Sequence, residues 1–269
     1  MHIQHMRTLH LISVLLLVSL VAVTGCRTSS GDKPTTYSDM AEHTYFQGER
    51  SFEKKDYFKA MQSYNTVRNQ FPYSRYAALA DLRIADAYYA QEQYSSSIEQ
   101  YRSFVRLYPR HEEVTYAYWR IANSFYEQMP SDWWLMPPAH ERDLSRTREA
   151  VRELRLFLKH FPESEYAPEA QRKLAEVRQR IAEHEYYVAE FYLRNKNHKA
   201  VVGRLTYLLT HYAGLGFDRE ALLQLGKSYL EIGERERAIT ALEDLVQVHP
   251  NSEQAKEARR YLAQLAPAE

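Results

Sequence analysis

Cysteine occurs once in the 269 residues, at Cys26, so neither a disulfide framework nor a cysteine-rich zinc or iron–sulfur site can form. Glycine is scarce: the 8 present are about half the usual share, which argues against a β-rich, turn-dense chain. Neither sign of charge predominates. The 35 basic and 35 acidic side chains balance, which removes the overall positive field expected of a nucleic-acid-binding protein. The apolar run Leu11–Val23, at 13 residues, is too short to span a hydrocarbon core. Catalytic signatures are missing as well. There is no His-Glu-x-x-His pair, glycine-rich phosphate loop or nucleophile elbow. The histidines, among them His111, His160, His184 and His249, are dispersed, several at expected helix ends, where a cation suits the dipole. Glu183 and Glu185 beside His184 read as a solvated helix face, and Glu112-Glu113 as the acidic first turn of a helix. No catalytic residue, metal site or enzyme activity is assigned.

What is present begins at the N-terminus. Arg7 followed by the Leu/Val-rich run has the form of a signal peptide, residues 1–25. It ends in Val23-Thr24-Gly25-Cys26, which resembles a bacterial lipobox. The sequence alternative is an ordinary cleavage site with a chance cysteine. In the lipobox reading the Cys26 thiol carries diacylglycerol and its freed amine an N-acyl chain, which hold the protein on a membrane without a spanning helix. Arg27 rather than Asp after the cysteine points, by analogy with lipoprotein sorting, to the outer membrane, with the protein facing the periplasm. Residues 26–38, with Ser and Thr beside Gly, Asp, Lys and Pro, read as the acylated cysteine and a flexible tether.

Repetition organises the remainder. Gly48, Ala60, Tyr64 and Pro72 fall at offsets 8, 20, 24 and 32 of a unit starting at Ala41. Ala85, Ser97, Tyr101 and Pro109 repeat the pattern from Ala78, and Gly226, Ala238, Leu242 and Pro250 repeat it from Arg219. Tyr88 and Tyr229 add an aromatic at offset 11. Small residues at 8 and 20 let the helices of a hairpin touch, large ones at 11 and 24 fill the space beside them, and Pro at 32 stops the second helix. The pattern resembles the tetratricopeptide repeat. It predicts an all-α solenoid of five helical hairpins with a capping helix at Glu253 to Leu265.

Two units depart from the pattern. The third, within residues 113–166, places helices at Val114 to Gln128 and about Arg146 to His160, separated by an insertion at about 129–145 that holds Trp133 and Trp134. Those tryptophans either fold back over the third hairpin or anchor an accessory subunit. The segment 167–269 opens on one long helix, Pro168 to Arg194, with an apolar stripe drawn through Leu174, Val177, Ile181, His184, Val188 and Phe191. Two more hairpins and the cap follow.

Longer segments carry a more specific likeness: Phe71-Pro72-Tyr73-Ser74 before Asp81 to Tyr89, Phe161 to Tyr166 before Arg172-Lys173-Leu174, and His184 to Tyr192 before Val201-Val202-Gly203-Arg204. With the lipobox, they make the chain resemble the BamD family, lipoprotein subunits of the outer-membrane β-barrel assembly (BAM) machine. The resemblance implies partners: C-terminal segments of unfolded outer-membrane β-barrel proteins, the periplasmic domains of the barrel subunit BamA, and other BAM lipoproteins. No nucleic acid is expected. The alternative from residues alone is a periplasmic tetratricopeptide adaptor lipoprotein serving division, pilus-secretin or cell-wall machinery.

Among the 22 tyrosines, Tyr45, Tyr73, Tyr76 and Tyr89 are not explained as core by their offsets. They become candidates for a client-peptide groove in the N-terminal repeats, residues 39–112. Partner docking is expected on the C-terminal repeats, with Tyr192 and Arg204 as candidates. Arg204 takes offset 24, a core position, so its guanidinium must pair internally, with a carboxylate such as Glu190, or reach the surface and pair with the barrel partner.

Overall fold

The computed structural model describes residues 36–129 and 144–265, and among these all regular structure is helical. The helices are α1 (Tyr37–Glu53), α2 (Tyr57–Gln70), α3 (Tyr76–Ala90), α4 (Tyr94–Leu107), α5 (Val114–Glu127), α6 (Ser145–His160), α7 (Ala167–Arg194), α8 (His198–Tyr212), α9 (Asp218–Glu231), α10 (Arg235–Val248) and α11 (Glu253–Leu265). Each packs on the helix before it and the helix after it. Contacts also join α1 to α3, α5 to α7 and α9 to α11, so the odd-numbered helices form the inner layer of a solenoid and the even-numbered ones its outer layer. Cys26, its tether, Trp133 and Trp134 lie outside the described residues.

The stops follow from proline. Phe71, Tyr108, Phe161 and His249 each precede a Pro, and each leaves the helical region at φ between −127 and −132 with positive ψ, as the ring of the next residue demands. The fourth hairpin has no such proline and ends instead on Gly214, at φ +82. Two starts are fixed by side-chain caps inside a hairpin: Asp56 accepts from the Lys59 amide at 3.1 Å, and Asn197 from the Ala200 amide at 3.2 Å.

The turns inside hairpins 1, 2, 4 and 5 share a regularity absent from the sequence pattern. Lys55, Glu92, Lys196 and Gly233 all adopt a left-handed backbone, with φ of 59, 59, 54 and 80. Three of the four are not glycine, so nothing in their residue type marks them as equivalent.

The repeat offsets are spatial contacts. Gly48 on α1 lies against the ring of Tyr64 on α2, and Gly226 on α9 against Leu242 on α10. Tyr64 and Tyr101 are fully buried, whereas Tyr88 and Tyr229 are half-buried. A central core runs from Leu82 to Ala241, flanked by a smaller cluster around Tyr64 and another around Leu242.

Helix α7 corrects the predicted stripe. Val177 and Ile181 are buried, but Leu174, His184 and Val188 are only half-buried and Phe191 is exposed. The buried face instead runs through Ala170, Lys173, Val177, Ile181, Glu185 and Ala189. Two charged residues hold core positions because groups on neighbouring helices neutralise them.

Candidate partner-binding surfaces

The inner layer of hairpins 1 to 3 is built on a buried polar network. Glu49 on α1 accepts from the Tyr64 hydroxyl at 2.6 Å and from the Arg83 guanidinium at 2.9 Å. Arg83 also reaches Asp86 at 3.0 Å, one turn along α3. Asp86 is 2% exposed and accepts from the hydroxyls of Tyr101 and Tyr116. A carboxylate this deep is tolerable only with such donors and a nearby cation. Arg120 on α5 donates to the Tyr116 hydroxyl at 2.8 Å and lies 3.9 Å from the Tyr89 ring centroid. Farther along, Lys173 of α7 donates to Asn123 and, at 3.0 Å, to Glu127, both on α5. Burial, reinforced by Asp86, pushes the Tyr116 hydroxyl well above its ordinary value. These groups spend their hydrogen bonds on one another, so the network stiffens the inner wall.

The four candidate groove tyrosines do not form one surface. Tyr45 and Tyr76 are buried at 6% and 5% exposure, their rings 5.2 Å apart. Tyr89 is half-buried, with its hydroxyl accepting from Asn123 at 2.7 Å and its face covered by Arg120. Tyr73 is 95% exposed, at the α2–α3 turn rather than on a helix. The reason is the packing of α1 on α3, which consumes the aromatic rings at the joint.

The ring left accessible at that joint is Phe46, which the sequence pattern does not single out. It is 44% exposed, edge-on to Tyr45 at 5.5 Å and to Tyr76 at 6.0 Å. Beside it the Arg75 guanidinium stacks 4.8 Å from the Tyr76 ring and pairs with Glu42 at 3.3 Å. The available signal was the Tyr45-Phe46 neighbour pair: adjacent helical residues point about 100° apart, so a helix buries one and shows the other.

At the C-terminal half, Arg204 finds an internal partner, and it is Glu185 rather than Glu190. Arg204 on α8 meets Glu185 of α7 at 3.0 Å, and Arg148 of α6 meets the same carboxylate at 3.4 Å. Glu185 is 1% exposed, while the Arg204 side chain remains 41% exposed. One edge of its guanidinium is thus held and the remainder faces outward. Tyr192 is half-buried on the central core, against Phe191 at 5.6 Å. Between α7, α8 and α9 lies a 70 Å³ cavity lined by Tyr186, Leu193, Val201 and Leu205, with Glu190 and Glu220 at its edge. Among the described residues no group of three or more His, Cys, Asp or Glu side chains could hold a metal ion. None of their helices is long and apolar enough to cross a membrane.

Paired helices in repeating register, stiffened from within, define a tetratricopeptide-type solenoid. A tetratricopeptide-repeat family model matches residues 223–266. The YfiO family, described as an outer membrane lipoprotein, matches residues 38–241, and the chain belongs to that family. Relatives named outer membrane protein assembly factor BamD include that of Xylella fastidiosa, 28% identical over 237 residues, spanning 87% of this chain and 80% of that one. That of Rickettsia prowazekii is 28% identical over 247 residues, spanning 92% and 94%. That of Caulobacter vibrioides is 28% identical over 219 residues, spanning 81% and 69%. The solved TPR2AB domain of yeast Sti1 aligns with a TM-score of 0.41 at 13% identity, over 84% of this chain and 85% of that one.

Proposed function

We propose that this chain is an assembly factor for outer-membrane β-barrel proteins, holding unfolded clients and docking on the barrel subunit BamA of the same machine. The observation that carries the reading is the family match across residues 38–241, which takes in the inner layer of all five hairpins. Cys26 carries the diacylglycerol and N-acyl chains that hold the protein on the outer membrane, facing the periplasm. The accessible Phe46, with Arg75 and Glu42 beside it, offers an apolar contact flanked by both charges for the C-terminal segment of a client. Trp133 and Trp134 remain candidates for contact with other BAM lipoproteins. In the C-terminal hairpins, Arg204 presents its outward edge to a carboxylate of BamA. Glu185 fixes its direction, and a pre-oriented fork loses less freedom on pairing than a free one.

The test is affinity recovery of the full-length chain from solubilised outer membranes. The wild-type chain should bring down a large β-barrel subunit, and a preparation without one would overturn the reading. Arg204→Lys separates docking from folding, since it leaves Glu185 beside a cation while removing the fork. It should keep the melting temperature and lower recovery of the barrel subunit several-fold. Undiminished recovery would remove Arg204 from the docking surface.

A further inference from the structure

We propose that the outer layer of hairpins 2 and 3 carries a second binding groove, for an extended acidic segment of a partner protein that also bears apolar side chains. The groove, about 510 Å³, lies between α4 and α6 and is floored by α5. Val105, Tyr118, Ile121 and Leu156 make its apolar surface, and Arg102 and Arg106 stand at its rim. Leu156 is 39% exposed, and Leu107, one residue beyond Arg106, is 59% exposed. The inner-layer client surface around Phe46 is elsewhere, so this groove does not depend on the function proposed above.

Charge decides the occupant. The whole chain balances at 35 against 35, yet two of the three charged side chains that line this groove are basic, Arg102 and Arg106, against the one acidic Glu153. The carboxylates on α4 and α6 are Glu99, Glu149 and Glu153. Glu153 is already committed, to Arg102 at 2.9 Å and Arg152 at 3.1 Å. With Glu153 so paired, the lining keeps a net positive charge, and charge complementarity selects an acidic segment. Shape selects a peptide over a lipid surface, because a planar bilayer cannot enter a concave channel to cover its apolar floor. In an extended chain alternate side chains face opposite ways, so apolar residues can meet Val105 and Leu156 while acidic ones reach the arginine rim.

The test uses the full-length chain in zwitterionic detergent and two fluorescent peptides of equal length, one alternating Leu with Glu and the other Leu with Lys. The Leu/Glu peptide should bind saturably and weaken with salt, while the Leu/Lys peptide should not bind. Arg106→Glu and Leu156→Asp, both at exposed positions, should each lower Leu/Glu affinity at least tenfold at unchanged melting temperature. Phe58→Ser, at a 70% exposed position on α2, should not. Equal binding of the two peptides, or unaltered affinity in the Arg106→Glu/Leu156→Asp double variant, overturns the proposal. So does a double variant that loses flotation with phosphatidylglycerol vesicles while keeping the peptide, since the face would then be a lipid-binding surface.

Discussion

The closest helix approaches in the first and fifth hairpins are set by one hydrogen atom each. A Cβ at Gly48 would sit 2.5 Å from Tyr64 Cε1, and one at Gly226 would sit 2.7 Å from Leu242 Cγ and Cδ2. Both neighbours are fully buried, so neither can swing away to make room. Gly203, on α8, meets nothing within 4 Å of its would-be Cβ. The same substitution should therefore have opposite signs. Gly226→Ala or Gly48→Ala should destabilise by about 1–3 kcal/mol through overpacking. Gly203→Ala should stabilise by roughly 0.5–1 kcal/mol, because it removes backbone freedom from the unfolded chain and fills no occupied space. Urea unfolding of the three variants checks this, and a Gly226→Ala chain as stable as the Gly203→Ala one would contradict the contact. The sequence pattern made these glycines legible because smallness at offset 8 coincides with bulk at offset 24.

At the scale of the element, α7 shows both what the sequence reveals and where it stops. Its existence and length were readable from an uninterrupted helical period, and the observed Ala167–Arg194 differs from the expected span by one residue. Its buried face was not, because a stripe drawn through large apolar residues passes over Lys173 and Glu185. Those two bury only because Asn123, Glu127, Arg148 and Arg204 come to them from other helices, and such long-range pairing leaves no mark in local periodicity. The same limit hid Phe46, whose exposure depends on how α3 meets α1. Glu185 consequently works as a pin joining α6, α7 and α8. Glu185→Gln should cost on the order of 1–3 kcal/mol, less than the roughly 3–5 kcal/mol for breaking a fully buried pair, since both arginines can turn to water. A double-mutant cycle with Arg204→Met, read by urea unfolding, should show a larger coupling than one with Arg148→Met, in keeping with 3.0 Å against 3.4 Å. Additive effects in both cycles would mean that the pin carries no load.

Across the whole molecule, the feature that recurs from end to end is the packed tyrosine, and it ties stability to pH on the alkaline side. Tyr45, Tyr89, Tyr126, Tyr186 and Tyr212 lie on α1, α3, α5, α7 and α8, and each is pushed from 10.0 to about 12, first of all by burial. Carboxylates add to the effect for Tyr45 beside Glu49 and for Tyr126, whose hydroxyl donates to Glu176 at 2.7 Å. A raised value means that the fold favours the protonated ring. Below pH 10 both states keep the proton, and the stabilisation is fully present. Between pH 10 and about 12 the unfolded chain releases protons that the folded one retains, so the unfolded state gains and stability falls as pH rises. The urea midpoint should therefore decline through that window. The phenolate absorbance of the folded chain should trail that of the urea-unfolded chain, then jump to meet it when the solenoid opens. Because these rings sit in at least two of the three core clusters, the jump should coincide with loss of helical circular dichroism along the array rather than at one end. Superimposable phenolate titrations of the folded and unfolded chains would show that the tyrosines are not packed as described.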